Sequence, residues 1–257
     1  MPTAISQDGT SIAYTAIGSG NPLILVGGAF SQRTFPGLVQ LAQLLEDDFT
    51  VVNYDRRGRG DSGNIGPYAV EREIEDLDAV INAVGGTAHV WGLSSGAALA
   101  LRAADCLKIT KLALYEPPYD GGDPHRRAQE AANLEALVIA GRMDQATQYF
   151  LRNVGAPSLI VTLMRFMPFW KRLRALAHTL PYELAIIGDH CVPTTLASRV
   201  RVPTLVLSGE KSDIRLRDGA KTLAQTIPHA QHRVLRGQTH NVSMTALAPE
   251  LRAFFVA

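Results

Sequence analysis

Hydrophobic positions along the chain fall into short apolar runs that alternate with amphipathic stretches. Ser11 to Ile17 alternates and is rich in β-formers, and Asp8-Gly9 before it is a hairpin turn signal. Pro22 to Val26 is a continuous apolar run closed by Gly27-Gly28, the pattern of a strand buried on both faces. Leu38 to Leu45 reads as a short helix, and Phe49 to Tyr54 as a strand that opens into the loop Asp55-Arg56-Arg57-Gly58-Arg59-Gly60-Asp61-Ser62. Val70, Ile74, Leu77, Ile81 and Val84 recur at spacings of four and three, which places them on one helical face. Acidic residues fill the opposite face, and Gly85-Gly86 ends the helix. Ala88 to Trp91 is a strand that runs into Gly92-Leu93-Ser94-Ser95-Gly96 and a helix from Ala97 to Ala104. Lys111 to Tyr115 is the next strand, stopped by Pro117-Pro118.

Strands alternating with helices predict the α/β class, a mostly parallel sheet with helices on both faces. The alternation then stops. Tyr119 to Arg199 carries helix signals and no convincing strand, punctuated by Gly141, Pro157, Pro168, Pro181 and Pro193. It resumes with the strand Pro203 to Leu207, a helix from Leu216 to Ile227, the strand His232 to Leu235 and a last helix from Ser243 to Phe255. The expected organisation is a core of residues 1–118 and 200–257, with residues 119–199 as a helical cap over the sheet's carboxyl edge.

Composition narrows the partners. At 257 residues the chain suits one domain with an insertion, and 46% hydrophobic with 19% charged residues fits a soluble globular protein. A net charge of +1 supplies no field to attract nucleic acid or an anionic membrane, so neither is an expected partner. The basic clusters Arg56, Arg57, Arg59 and Lys171, Arg172, Arg174 are expected to be solvated faces. Cys106 and Cys191 make no disulfide framework and no zinc pattern, and are expected as buried, unpaired thiols. The first residues lack the basic and apolar regions of a signal peptide, and no apolar run reaches spanning length. The expectation is a cytoplasmic protein acting on a small molecule. A homodimer stays open.

Chemistry enters at Gly92-Leu93-Ser94-Ser95-Gly96, which fits G-x-S-x-G between a buried strand and a helix. So tight a turn needs small flanking residues, and it lifts the Ser94 oxygen above the sheet at a helix N-terminus. The helix dipole and free N–H groups there favour developing negative charge. Ser95, as first helical residue, offers one N–H to an oxyanion. The second is expected from Gly27-Gly28-Ala29-Phe30, at the Ala29 N–H with Gly28 its neighbour, because two glycines allow close approach to a ligand. A serine hydroxyl needs a base, and His has the pKa for it. Of seven histidines, only His240 lies on a loop late enough for the order serine, acid, histidine. His89 is expected in the core. The acid is expected on Ser208-Gly209-Glu210-Lys211-Ser212-Asp213, at Asp213 before Glu210, where it would hold the imidazole tautomer.

With these residues in place the chain resembles the α/β-hydrolase fold superfamily, in its small capped serine esterase and lactonase-like branch. The elbow at Ser94, the loop Asp55 to Ser62 (similar to D-x-R-G-x-G-x-S), the strand Pro203 to Gly209 and the loop Gly237-Gln238-Thr239-His240 carry the resemblance in matching order. There are departures. Gly27-Gly28 stands where the family usually has His-Gly, and Thr239 replaces the glycine before the histidine. The family's usual acid position falls on Ser212, so Asp213 sits one residue late. Some members take the acid from the end of the preceding core strand, which makes Asp120 the reserve.

The resemblance implies hydrolysis of an ester, lactone or thioester through an acyl-enzyme on Ser94, with no metal or organic cofactor. A serine at the elbow argues against haloalkane dehalogenases and epoxide hydrolases, which place aspartate there. Leu163, Met164, Phe166, Met167, Phe169 and Trp170 form an apolar cluster in the inserted block, either its own core or pocket lining. With Gly28 and Phe30, the residues Met164, Met167 and Trp170 are the candidate substrate contacts. Two further classes stay open: a non-hydrolytic enzyme on this fold (lyase, cofactor-free haloperoxidase or cyclase), and a receptor-like binding protein.

Overall fold

The computed structural model describes residues 2–257. Its strands are β1 Thr3–Ile5, β2 Ser11–Ile17, β3 Asn21–Val26, β4 Phe49–Tyr54, β5 Ala88–Leu93, β6 Ile109–Tyr115, β7 Thr204–Gly209 and β8 Gln231–Leu235. They form one sheet in the order β1-β2-β4-β3-β5-β6-β7-β8. The pairs β1–β2 and β2–β4 are antiparallel and all the others parallel. The Asp8-Gly9 turn joins β2 to β1, a strand too short to stand out in the hydrophobic pattern.

Alternation along the central strands feeds two cores. Leu23, Leu25, Val51 and Trp91 face α1 (Pro36–Leu45) and α11 (Met244–Val256), through Leu38, Leu41, Leu247 and Leu251. Ile24, Val26, Val52 and Val90 face the other way, toward α2 (Val70–Ala83), α3 (Ser95–Ala103) and α10 (Ile214–Thr226). Both faces of the parallel strands are therefore dry, as their unbroken apolar runs require. Leu77 and Ile81 of α2 are fully buried, and Val70, Ile74 and Val84 pack against them from the rim. His89 is buried, takes Thr110 Oγ1 at 2.7 Å and stacks on Phe255, so it is a core histidine.

Between β6 and β7 the chain holds only helices: α4 Pro124–Ile139, α5 Met143–Asn153, α6 Ser158–Met164, α7 Trp170–Ala175, a 3₁₀ turn Ala177–Thr179, α8 Leu180–Ile187 and α9 Thr194–Ala197. β6 and β7 are neighbours in the sheet, so these helices form an excursion that leaves and re-enters at one place. Their buried residues Leu134, Ala146, Phe150, Ala177 and Leu180 pack with Ala29 and Phe30 of the loop after β3.

Two expectations change. Arg56, Arg57 and Arg59 are not a solvated face; each is at most 2% exposed. Arg57 is paired by Asp76 of α2 at 2.7–2.8 Å and by Asp8 at 2.9 Å. Arg56 is held bidentate by Glu73 of α2 at 2.6–2.8 Å and by Glu183 of α8 at 3.0 Å. Arg59 pairs with the other oxygen of Glu183. Buried guanidinium groups survive because carboxylates from other elements compensate the lost hydration. For the same reason Glu73 and Asp76 turn inward from α2, and its acidic face is not wholly solvated. The cysteines are unpaired as expected, but both are exposed, since each falls in an irregular segment after a helix rather than on an inward face.

Candidate active site

Five segments converge at the carboxyl ends of the parallel strands: those after β3, β5, β6, β7 and β8. β5 delivers Ser94 at φ 57° and ψ −126°, left-handed backbone that a non-glycine residue adopts only under local constraint. The constraint is steric. A Cβ on Gly92 would lie 2.6 Å from Ala97 Cα, and one on Gly96 would collide with the Val26 carbonyl oxygen. The strand-to-helix turn closes only because both positions lack side chains. Ser94 N–H donates to Tyr115 O at 3.0 Å, which ties the turn to β6.

His240 arrives on the loop after β8. Its Nε2 lies 3.2 Å from Ser94 Oγ, and its Nδ1 lies 2.7 Å from Glu116 Oε2. This network assigns the proton to Nδ1, leaving Nε2 to accept from the serine hydroxyl. The loop is anchored from below: buried Tyr115 donates its hydroxyl to Thr239 O at 2.7 Å. Burial first, and the neighbouring Glu116 charge second, push the Tyr115 phenol up, so it stays a donor. Lys211 N–H donates to Gln238 O at 2.8 Å and Gly237 N–H to Glu210 Oε2 at 2.8 Å, which joins the loops after β7 and β8.

The acid facing His240 is Glu116, which the sequence reading missed. It follows β6 directly at φ 42°, is 0% exposed, and its second oxygen accepts the Gly209 N–H at 2.7 Å. Asp213, expected in this role, sits elsewhere. It caps α10 by accepting Arg215 N–H at 2.9 Å and binds the Arg215 guanidinium at 2.8–3.0 Å. Those Arg215 bonds hold its carboxyl down at about 2. The Asx cap is a local preference that a loop-plus-spacing argument cannot see. Glu210 is spent on Gly237, as above. The reserve, Asp120, is bound to Arg127 at 2.8 Å and to His190 Nδ1 at 3.1 Å. Burial would raise its carboxyl, but His190 and Arg127 keep it below the usual range. A visible signal for Glu116 existed: a charged residue directly after the apolar run Leu112 to Tyr115, just before Pro117-Pro118.

The expected anion-binding residues flank Ser94. Ser95 opens α3, so its N–H has no carbonyl one turn earlier to bond. Gly28 lies against the elbow, where a Cβ would sit 2.9 Å from Leu93 O and 3.1 Å from Ser94 Cβ. The Ala29 N–H, next in the chain, donates to no group among the described residues. Phe30, at φ 59°, meets Phe150 of α5 edge-on with ring centroids 5.5 Å apart.

The inserted residues beside Ala29 and Phe30 come from α4, α5, the 3₁₀ turn and α8, not from the apolar run 163–170. Trp170 is buried and donates Nε1–H to Asp144 at 2.7 Å, inside the insertion. Met167 is 50% and Phe166 82% exposed. Met164 is half-buried on α6 and is not among the residues packed with Phe30. Of the expected substrate contacts, Phe30 therefore packs with the insertion, whereas Met164, Met167 and Trp170 do not join it there. α6 is a short helix between proline-bearing turns, and its one buried face (Val161) turns inward, leaving the rest of the run outside. No helix among the described residues is long and apolar enough to cross a membrane.

Comparison with known proteins bears on the fold and the family. The family model of the alpha/beta hydrolase family matches residues 23–250. A crystal structure of an alpha/beta hydrolase from Sphaerobacter thermophilus superposes with a TM-score of 0.91 at 48% identity, covering 99% of this chain and 100% of that one. The AB hydrolase superfamily protein YisY of Bacillus subtilis is 28% identical over 88% of this chain and 87% of its own length. A non-heme haloperoxidase of Rhodococcus erythropolis is 24% identical over 94% of this chain and 93% of its own length. With its eight-stranded, mostly parallel sheet and its matching extent, the chain belongs to the alpha/beta hydrolase family.

Proposed function

We propose that this protein is a serine hydrolase cleaving a carboxylic ester, lactone or thioester of a small, largely apolar molecule. The observation that carries the reading is the continuous line Ser94 Oγ, His240, Glu116, at 3.2 and 2.7 Å. Ser94 Oγ attacks the substrate carbonyl carbon as His240 Nε2 takes its proton, forming a tetrahedral oxyanion. Glu116 holds the Nδ1–H tautomer and stabilises the imidazolium without being protonated. The N–H groups of Ala29 and Ser95 receive the oxyanion. The bond to the leaving group breaks, and His240 returns the proton to the departing oxygen or sulfur. Water then attacks the acyl-enzyme with His240 again as base, releasing the carboxylic acid and restoring Ser94.

The inserted helices serve as a cap, and their contact with Phe30 supports an apolar acyl or alcohol group beside that ring. A second reading is favoured by the haloperoxidase relative. The same acyl-enzyme attacked by hydrogen peroxide in place of water gives a peracid, so the two activities differ only in the second nucleophile.

The test is labelling with a fluorophosphonate, wild type beside Ser94→Ala, read by intact and peptide mass. One adduct on the Ser94 peptide, absent in the variant, is expected. No adduct on folded wild type overturns the proposal. An ester and lactone panel, run with water and with added peroxide, then separates the two readings.

A further inference from the structure

The buried arginines after β4 bear on the site, because two of them end on the peptide groups beside the nucleophile. Arg59 Nη1 donates to Gly28 O at 2.8 Å and to Ser31 O at 3.3 Å. Ser31 adds its Oγ–H to Gly28 O at 2.6 Å and its N–H at 3.3 Å. Arg56 Nη1 reaches Gly27 O at 3.3 Å. The Gly28 carbonyl and the Ala29 N–H belong to one planar trans amide and point in opposite directions. Three donors on the oxygen, one of them a guanidinium, therefore aim the N–H away from Arg59. They also draw electron density from the nitrogen, which makes that N–H a stronger donor.

The far side of the same guanidinium is held by the insertion. Glu183 of α8, 0% exposed, binds Arg59 Nη2 with one oxygen and Arg56 Nη1 at 3.0 Å with the other. Arg56 is held on its opposite edge by Glu73. Glu183 is thus the one carboxylate of the inserted helices in this buried network, and it rests on the arginine that grips the Gly28 carbonyl.

We propose that Arg59 is a positioning residue: it aims and strengthens the Ala29 N–H as an oxyanion donor, and Glu183 makes that aim depend on the seating of the inserted helices. The inference rests on the hydrolase reading above, in which Ala29 N–H meets the oxyanion. An insertion seated by its substrate holds Glu183, hence Arg59, hence the donor. A displaced insertion lets the guanidinium swing away and leaves the amide held by Ser31 alone.

The test uses the full-length protein, p-nitrophenyl butyrate as substrate and phenylboronic acid as a probe that forms a tetrahedral anion on a serine. Loss of one oxyanion donor costs on the order of 100-fold in rate, and mis-aiming it costs up to that amount. Arg59→Lys, which keeps the charge but loses the fork, is expected to lower kcat about 10- to 100-fold with KM within about threefold. The boronate Ki is expected to rise in step with the loss in kcat/KM. Glu183→Gln, nearly isosteric, is the second variant should Arg59→Lys not fold, with a smaller fall in kcat in the same direction. Arg57→Lys removes an equally buried pair that makes no contact with the Gly28 peptide, and is expected to lower Tm without moving kcat or Ki. If Arg59→Lys or Glu183→Gln lowers Tm while kcat per active site and Ki stay at wild-type values, the arginine is only structural and the inference falls. Wild type that neither hydrolyses esters nor labels with fluorophosphonate overturns the hydrolase reading itself. Wild type that does both, with unaffected variants, overturns only the role of Arg59.

Discussion

Replacing Glu116 by glutamine isolates the acid's charge from its shape. The amide keeps the volume and can still accept the Gly209 N–H, but the negative charge 2.7 Å from His240 Nδ1 is gone. That charge matters when His240 takes the Ser94 proton and becomes an imidazolium. The His240 side chain is 38% exposed, so an effective dielectric of about 20 suits the pair better than a dry interior value. At a charge separation of about 4 Å the lost attraction is then about 4 kcal/mol. Each 1.36 kcal/mol on the barrier is a factor of ten, so kcat is expected to fall roughly 10³-fold. Disturbance of the tautomer acts in the same direction and can bring the loss to about 10⁴-fold. The assay is initial-rate kinetics on a p-nitrophenyl ester, normalised to active sites by fluorophosphonate titration. Asp213→Asn is the comparator. Its carboxylate is exposed and bound to Arg215, so a change within about twofold is expected, as for most surface substitutions. A Glu116→Gln enzyme within tenfold of wild type, or an Asp213→Asn enzyme a thousandfold slower, would refute the acid assignment.

Two more outcomes follow from the packing. Gly96→Ala places a Cβ into the Val26 carbonyl oxygen and 2.6 Å from Gly27 O, both backbone atoms that cannot rotate aside. Overpacking of this kind costs about 1–3 kcal/mol or more, so a lower urea midpoint and loss of Ser94 labelling are expected; an unchanged midpoint contradicts the close-approach account. His89 is held neutral by burial, helped by the Lys111 charge, so its pKa lies below the ordinary value. As pH falls through about 6.5 the unfolded chain binds a proton that the native one refuses, and stability drops until the lower native pKa is passed. His89→Gln should therefore flatten stability against pH below about 6.5, leaving the slope from His232, whose pKa burial also lowers. An unchanged slope in chemical denaturation at several pH values would remove His89 from the account.

Much of this protein was legible along the chain, because the deciding interactions are local. The elbow needs small residues within a few positions of Ser94, and a strand running into a helix shows them in one short stretch. β2 and α2 announced themselves by period and β3 and β4 by short apolar runs, since burial on one face or two is written into each element separately. His240 followed from chain order alone. The acid did not, because it depends on pairing between strands far apart in sequence. Tyr115 lies opposite Leu207 in the β6–β7 register, so the next residue, Glu116, reaches Gly209 and the loop that carries His240. Asp213 fits the loop by type, yet a cap bond to its own helix claims it first. The arginines read as a solvated cluster for the same reason. Their partners Glu73, Asp76 and Glu183 are remote, and only folding shows that carboxylates wait where the guanidinium groups are buried. The apolar run from Leu163 to Trp170 marks the converse limit: hydrophobicity identifies what can be buried, and the tertiary structure decides that Trp170 is while Phe166 is not. The sequence was enough to read the element types and to single out Ser94 and His240, because these rest on apolar patterning, chain order and contiguous turns. Folding alone brings Glu116 to His240, buries the arginine–carboxylate network and sets which residues of the insertion meet Phe30, because each is a contact between segments distant along the chain.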